Sequence, residues 1–233
     1  FTSAFPAEYG NANAGVFDIG FRNGNNTKKE TTLQLGVITG LEATTEGPIK
    51  KDNGSSYLVG YRYSLAGIAQ SMGINIGTTA TPSYQDLSFK LNSGTTKMGK
   101  FSLFGIYGTS TIALESGGDK NSLYGNGNQA DFSSKLGIIG LNHFKQINSK
   151  SYISSTIGLN YSKTDITNYG FDRLTELSFQ RDISKTAKTG YNFSTSYNSK
   201  INSRLFVKIG LDNQLLGLDL YSKNKQRIND DFR

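Results

Sequence analysis

The sequence predicts an all-β fold, an antiparallel up-and-down meander wet on one face and covered by something apolar on the other. Three observations predict it. Apolar side chains recur at alternate positions: Ile153, Ile157, Leu159 and Tyr161 interleave with Ser154, Thr156, Gly158, Asn160 and Ser162. A side-chain period of two belongs to a strand, whose successive residues point to opposite faces. The same alternation returns along the chain, each time beside a turn. Finally, connections around Asn53, Gly94, Asn148 and Lys200 read as short, and those around Ile74, Asn121 and Tyr169 as long. Short turns at one rim and long loops at the other suit an up-and-down barrel in a membrane. A Greek-key sandwich has no reason to keep that alternation.

Composition agrees with strands and turns. The chain has 27 Gly, 14 Phe and 13 Tyr against 3 Pro and no Trp, a mixture that favours short strands and tight turns over helices. Hydrophobic residues make up 36%, a thin supply for a core packed from both sides. No window supplies the run of about 20 apolar residues that a membrane helix requires, so any membrane role falls to strands. The net charge of +7 comes from Lys and Arg scattered over turns and the polar phase of strands, which argues against a nucleic-acid stripe. There is no Cys, and with it no disulfide or thiolate chemistry. Phe1-Thr2-Ser3-Ala4-Phe5-Pro6 has neither the charged nor the apolar region of a signal peptide, so an export signal is expected upstream of it.

Taken in order, residues 15–22 read as a short strand closed by the breaker cluster Asn23-Gly24-Asn25-Asn26. Residues 31–38 follow with Leu33, Leu35 and Val37 on one face. Gly40 breaks them, and 41–47 continue with Glu42, Thr44 and Glu46 on the polar face. Asn53-Gly54 is a hairpin dipeptide. Residues 55–64 alternate Tyr57, Val59, Tyr61 and Tyr63 with Leu58, Gly60, Arg62 and Ser64. A longer connection, 65–83, includes a helical turn around Ile68 to Met72, and a strand resumes at 86–92. Residues 101–112 are a strand of impure phase, because Phe104 and Ile106 fall on the polar face. The most loop-like part is 114–129, with Gly117-Gly118 and Gly125-Asn126-Gly127-Asn128. Residues 132–145 form another mixed strand, and 151–162 the clearest one. Residues 164–188 read as a second long polar connection, with extended structure around 174–179. Strands at 189–197 and 204–216 complete about nine, each roughly ten residues long, the length that crosses a tilted bilayer. Residues 222–233 read as polar and outside any strand.

Chemistry-bearing constellations are scarce. His143 is the sole histidine, and with no Cys or second His it makes no zinc set; a strand residue near a turn is the better reading. Asp119 and Asn121 sit in a Gly-rich loop but lack EF-hand spacing. No Gly-x-Ser-x-Gly elbow occurs, and one His leaves little for a general base, so the expectation is a protein that is not an enzyme and uses no cofactor or metal. Arg62, Glu42 and Glu46 share the polar phase of adjacent strands, where they form either wall electrostatics or a contact to something inside the wall. Tyr57, Tyr61, Tyr63, Tyr191 and Tyr197 share the apolar phase and read as lipid-facing girdle residues rather than carbohydrate stackers.

Phe5-Pro6-Ala7-Glu8-Tyr9-Gly10-Asn11-Ala12, running on through Gly15-Val16-Phe17-Asp18-Ile19, resembles the end of the plug domain of TonB-dependent outer-membrane receptors, especially those of Bacteroidetes. Glu46-Gly47-Pro48-Ile49, Ser56-Tyr57-Leu58-Val59-Gly60-Tyr61-Arg62-Tyr63-Ser64, Tyr84-Gln85-Asp86-Leu87-Ser88-Phe89 and Gly99-Lys100-Phe101-Ser102-Leu103-Phe104-Gly105 resemble the first barrel strands of the same group. The likeness covers the first half well and the second half in pattern only.

The resemblance implies an incomplete part of a 22-stranded transmembrane β-barrel, with residues 1–26 the C-terminal end of the plug and 27–233 the N-terminal part of the barrel. It implies a Gram-negative outer membrane and active uptake of a scarce solute: siderophore, vitamin, glycan or peptide. The implied partners are outer-membrane lipid, the plug of the same chain, the TonB complex through an N-terminal segment not in this sequence, and a surface lipoprotein. Ligand contacts would fall on the extracellular loops, at residues such as Asn121, Tyr124, Asn126 and Tyr169. A non-transport outer-membrane barrel or adhesin is the alternative, and a soluble β-sandwich enzyme a third reading that the missing acid/base set disfavours.

Overall fold

The computed structural model describes residues 16, 19–36, 40–73, 80–114, 129–172, 175, 177–226 and 228–232. Nine strands form one antiparallel sheet in chain order: β1 (Glu30–Gly36), β2 (Gly40–Lys50), β3 (Ser55–Tyr63), β4 (Ala80–Asn92), β5 (Lys100–Leu114), β6 (Ala130–Asn148), β7 (Ser151–Asp172), β8 (Leu177–Lys200) and β9 (Phe206–Asn224). One short helix, α1 (Ala66–Ser71), follows β3. Among the described residues β1 pairs only with β2 and β9 only with β8, so both edges of the sheet carry unpaired backbone groups.

The register turns the alternation of single strands into a property of the whole sheet. Residues directly opposite across a ladder share a face. One row runs Val59, Phe89, Gly105, Ile139, Leu159, Tyr191 and Leu215 from β3 to β9. The next runs Tyr57, Leu91, Leu103, Leu141, Ile157 and Phe193 before ending at Asn213. The odd-numbered apolar residues therefore form one continuous face, and it is uncovered: Leu35 is 74% exposed, Ile157 58% and Ile209 66%. No second sheet lies against it among the described residues. The usual order of burial is inverted. Ala66 is the one buried apolar residue described, whereas Ser55, Ser56, Ser64, Ser151, Asn198 and Ser199 are all buried. In water such a distribution is unfavourable, since each large apolar side chain left exposed forfeits about 1.5–3 kcal/mol.

The short turns are built by residues suited to them. Lys51–Asn53 make one 3-10 turn, closed by Gly54 at φ +71°, a left-handed conformation that glycine adopts without a steric penalty. This turn is joined to the β4–β5 turn: the Thr95 amide donates to the Asn53 carbonyl at 3.2 Å and Asn53 Nδ2 donates to the Ser93 carbonyl at 3.2 Å. The β6–β7 and β8–β9 turns are joined likewise, the Lys200 amide donating to the Lys150 carbonyl at 2.9 Å. Asn202 Oδ1 accepts from the amides of Arg204 and Leu205 at 2.9 and 2.8 Å, holding the last turn tight.

Several expectations are corrected. Residues 164–188 are not a long connection. β7 is 22 residues and β8 is 24, and only 173–176 separate them. The reason is chemical: this stretch is polar on both faces, so it lacks the alternation that marks a strand between two solvents, yet Thr, Ile and Tyr still favour an extended ladder. At 3.4 Å per residue β7 reaches roughly 75 Å, far more than the 9–11 residues a bilayer needs. β4 starts at Ala80 and β9 runs to Asn224, so both extend past their expected bounds. The expected strand at 15–22 does not form over its described residues, Val16 and 19–22; Phe21 and Arg22 lie on the sheet rather than in it. Most of the 114–129 loop is outside the described residues, as are 74–79.

Candidate functional site

Even-numbered residues build the wet face, and residues 21–27 are strapped across its short-turn end. Arg22 Nη1 and Nη2 donate to Glu46 Oε2 and Oε1, each at 2.6 Å, a bidentate pairing that fixes orientation as well as charge. The Asn25 amide donates to Glu46 Oε2 at 2.7 Å, and Asn25 Nδ2 to Glu30 Oε2 at 2.7 Å. Asn25 Oδ1 also accepts from the Thr27 amide at 2.9 Å, turning the strap into β1. From β4, Lys90 Nζ reaches the Phe21 carbonyl at 2.6 Å. The Phe21 ring rests 6.1 Å from that of Phe104, and a Cβ at Gly24 would run into the Tyr57 carbonyl, so the backbone approaches β3 as closely as only glycine permits. The hydrogen bond from Arg22 to Glu46 raises the guanidinium pKa still further, and Arg22 stays charged throughout the working range.

Phe104 explains its own break in phase. It points to the wet side because its ring lies over Gly140, where a Cβ would collide with it, and because Phe21 covers it. An aromatic on the polar phase was the sequence signal that something packs on that side. Arg22 and Lys90 carried no comparable local signal, their partners being 24 and 69 positions away.

Arg62, Glu42 and Glu46 do not form one network. Arg62 Nε donates to Asp86 Oδ2 at 2.8 Å, its guanidinium stacks 5.1 Å from the Tyr84 ring, and Glu42 stands opposite it in register. Glu46 instead takes the strap. A pair within the sheet and a contact to a segment lying across its wet face are thus both present, on different acids.

Two hollows flank the strap. One of about 550 Å³ lies between Asn23 and Asn26 on the strap and Asn92, Asn142, Ser154 and Thr156 on the wall. The other, about 410 Å³, lies between Arg22, Glu42, Arg62 and Asp86. Farther along, on β6 to β8, amide and hydroxyl side chains of the wet face bond one another: Thr156 Oγ1 donates to Asn142 Oδ1 at 2.9 Å and Asn192 Nδ2 to Asn160 Oδ1 at 2.7 Å.

Of the residues expected to meet ligand, Asn121, Tyr124 and Asn126 lie outside the described residues. Tyr169 is corrected from loop to strand: it sits at a bulge in β7 and donates its hydroxyl to Asp131 Oδ2 at 2.8 Å. His143 is on β6, stacked 4.5 Å from Phe101, with Nε2 2.8 Å from the Met98 carbonyl oxygen. Among the described residues no three His, Cys, Asp or Glu side chains cluster as a metal site, and no helix is long and apolar enough to cross a membrane, which says nothing of strands. Tyr61, Tyr63, Tyr191 and Tyr197 are exposed on the apolar face. Comparison with family models, curated proteins and solved structures returns no match.

Proposed function

We propose that this chain is part of the wall of an outer-membrane TonB-dependent receptor, taking up a scarce solute into a Gram-negative cell. One observation carries the reading: a continuous apolar face, exposed over nine strands, stands back to back with a face that is mostly polar from β2 to β8, with Leu216, Leu218 and Leu220 the apolar residues on that second face of β9. Lipid on one side and water or protein on the other is the environment that makes this distribution favourable. The unpaired edges of β1 and β9 would be costly in lipid, and the further strands of a 22-stranded barrel would satisfy them. A non-transport surface barrel would use the same apolar face. The strap favours transport, because a segment held on the wet face by a few polar contacts is suited to gating a lumen. The solute would be chosen by the outer loops and the plug, and siderophore, vitamin, glycan and peptide are the classes to test. Deleting the gene should abolish growth on one such solute at limiting supply while leaving growth at high supply unchanged; a deletion strain that grows normally on all four classes would refute transport.

A further inference from the structure

The four short turns share a composition that the wall alone does not require. Ile49 stands beside Lys50 and Lys51 at the first, and Met98 between Lys97 and Lys100 at the second. Ile147 stands between Lys145 and Lys150 at the third, and Ile201 and Leu205 beside Lys200 and Arg204 at the fourth. Every one of these apolar side chains is about half exposed or more, Met98 reaching 68%. Every one of the cations is exposed, and among the described residues none is in an ion pair. The carboxylate on these turns is Asp52 alone. The nearest others, Glu30 and Glu46, are occupied by Lys28 and Arg22, and Asp212 lies higher, on the wet face opposite Ser194. The opposite ends of the strands are balanced, with Lys163 on Asp165 and Arg181 on Asp182. Most of the excess positive charge therefore gathers at one rim.

That rim also adjoins the apolar face directly: Lys145 is the register partner of Ile153, which opens the apolar run of β7. We propose that the short-turn rim binds the anionic phospholipid headgroups of the leaflet around it, each turn placing its lysines or arginine against phosphate and its Ile, Leu or Met among the first acyl carbons. A purely electrostatic partner such as nucleic acid or an acidic protein would use the cations and have no place for the exposed apolar residue at every turn. An anionic bilayer uses both. The inference rests on the membrane-spanning reading above and deepens it.

The test reconstitutes the full-length receptor containing this chain, whose further strands pair the edges of β1 and β9, into phosphatidylcholine vesicles with and without phosphatidylglycerol. Insertion is read by heat-modifiable mobility and retained lipid by native mass spectrometry. Wild type should retain phosphatidylglycerol over phosphatidylcholine by about tenfold or more, since each surface cation strengthens the attraction several-fold. The set Lys97→Gln, Lys100→Gln, Lys145→Gln and Lys150→Gln should insert and lose that preference, and the same four changed to Arg should keep it. Met98→Ser with Ile147→Ser should weaken retention of both lipids alike. Wild type that inserts yet retains both lipids equally overturns the proposal whatever the variants do, as does soluble polyphosphate displacing the retained lipid. Wild type that inserts into neither vesicle overturns the membrane reading instead.

Discussion

β7 contains two halves with the same backbone ladder and opposite surface chemistry. From Ile153 to Tyr161 its odd residues other than Ser155, which bonds Thr195, join the apolar face; from Lys163 to Asp172 both faces are mostly polar. Hydrogen bonding is continuous from one half to the other, apart from the bulge at Tyr169. The ladder alone thus does not require an apolar face. On the proposed membrane reading the lower half meets two solvents, and slipping its register by one residue would put every side chain in the wrong medium. The upper half is held by ladder bonds and polar cross-strand contacts such as Tyr169 with Asp131.

The largest expected effect breaks this contrast at its lower end. Leu159→Lys, in the middle of the apolar face between Ile139 and Tyr191, should cost about 2–4 kcal/mol in a bilayer, against a few tenths for Thr167→Lys on the same phase of the upper half; urea titration of the vesicle-folded protein measures both. Next, Glu46→Gln removes one partner from Arg22 and Asn25 together. Arg22 is largely exposed, which holds the loss to about 1 kcal/mol, but the strap should become cleavable between residues 22 and 28 in limited proteolysis, and more so at high salt. Asp86→Asn, which weakens only the wall pair with Arg62, should leave strap cleavage unchanged. Smallest, Asp131→Asn weakens the Tyr169 contact, with faster amide exchange near Gln129 and Tyr169 and a stability loss of about 0.5 kcal/mol.

The same contrast explains which parts of the fold were legible in the sequence. Strands could be read where apolar and polar residues alternate, as at Tyr57 to Tyr63 and Ile153 to Tyr161, and less cleanly in β5 and β6, whereas the strand read at 15–22 does not form over its described residues. The upper parts of β7 and β8 could not, because Thr164, Asp165, Lys185 and Thr186 look like loop when neither face is apolar. The strap was barely legible: Asn23 to Asn26 marked a break, while Phe104 registered only as an impurity of phase, its cover by Phe21 going unread. That Glu46, rather than Arg62, holds the strap depends on a contact between distant residues that no local pattern encodes.

The most direct test uses the absence of cysteine from these 233 residues to place a single spin label at each position from 151 to 172 of the reconstituted full-length protein, any cysteine outside them being replaced by serine. Accessibility to lipid-soluble oxygen should peak at odd residues from Ile153 to Tyr161 and accessibility to a water-soluble nickel chelate at even ones, with the oxygen signal fading beyond Lys163. Odd positions shielded from both reagents would mean that protein, and not lipid, covers this face, and would contradict the account.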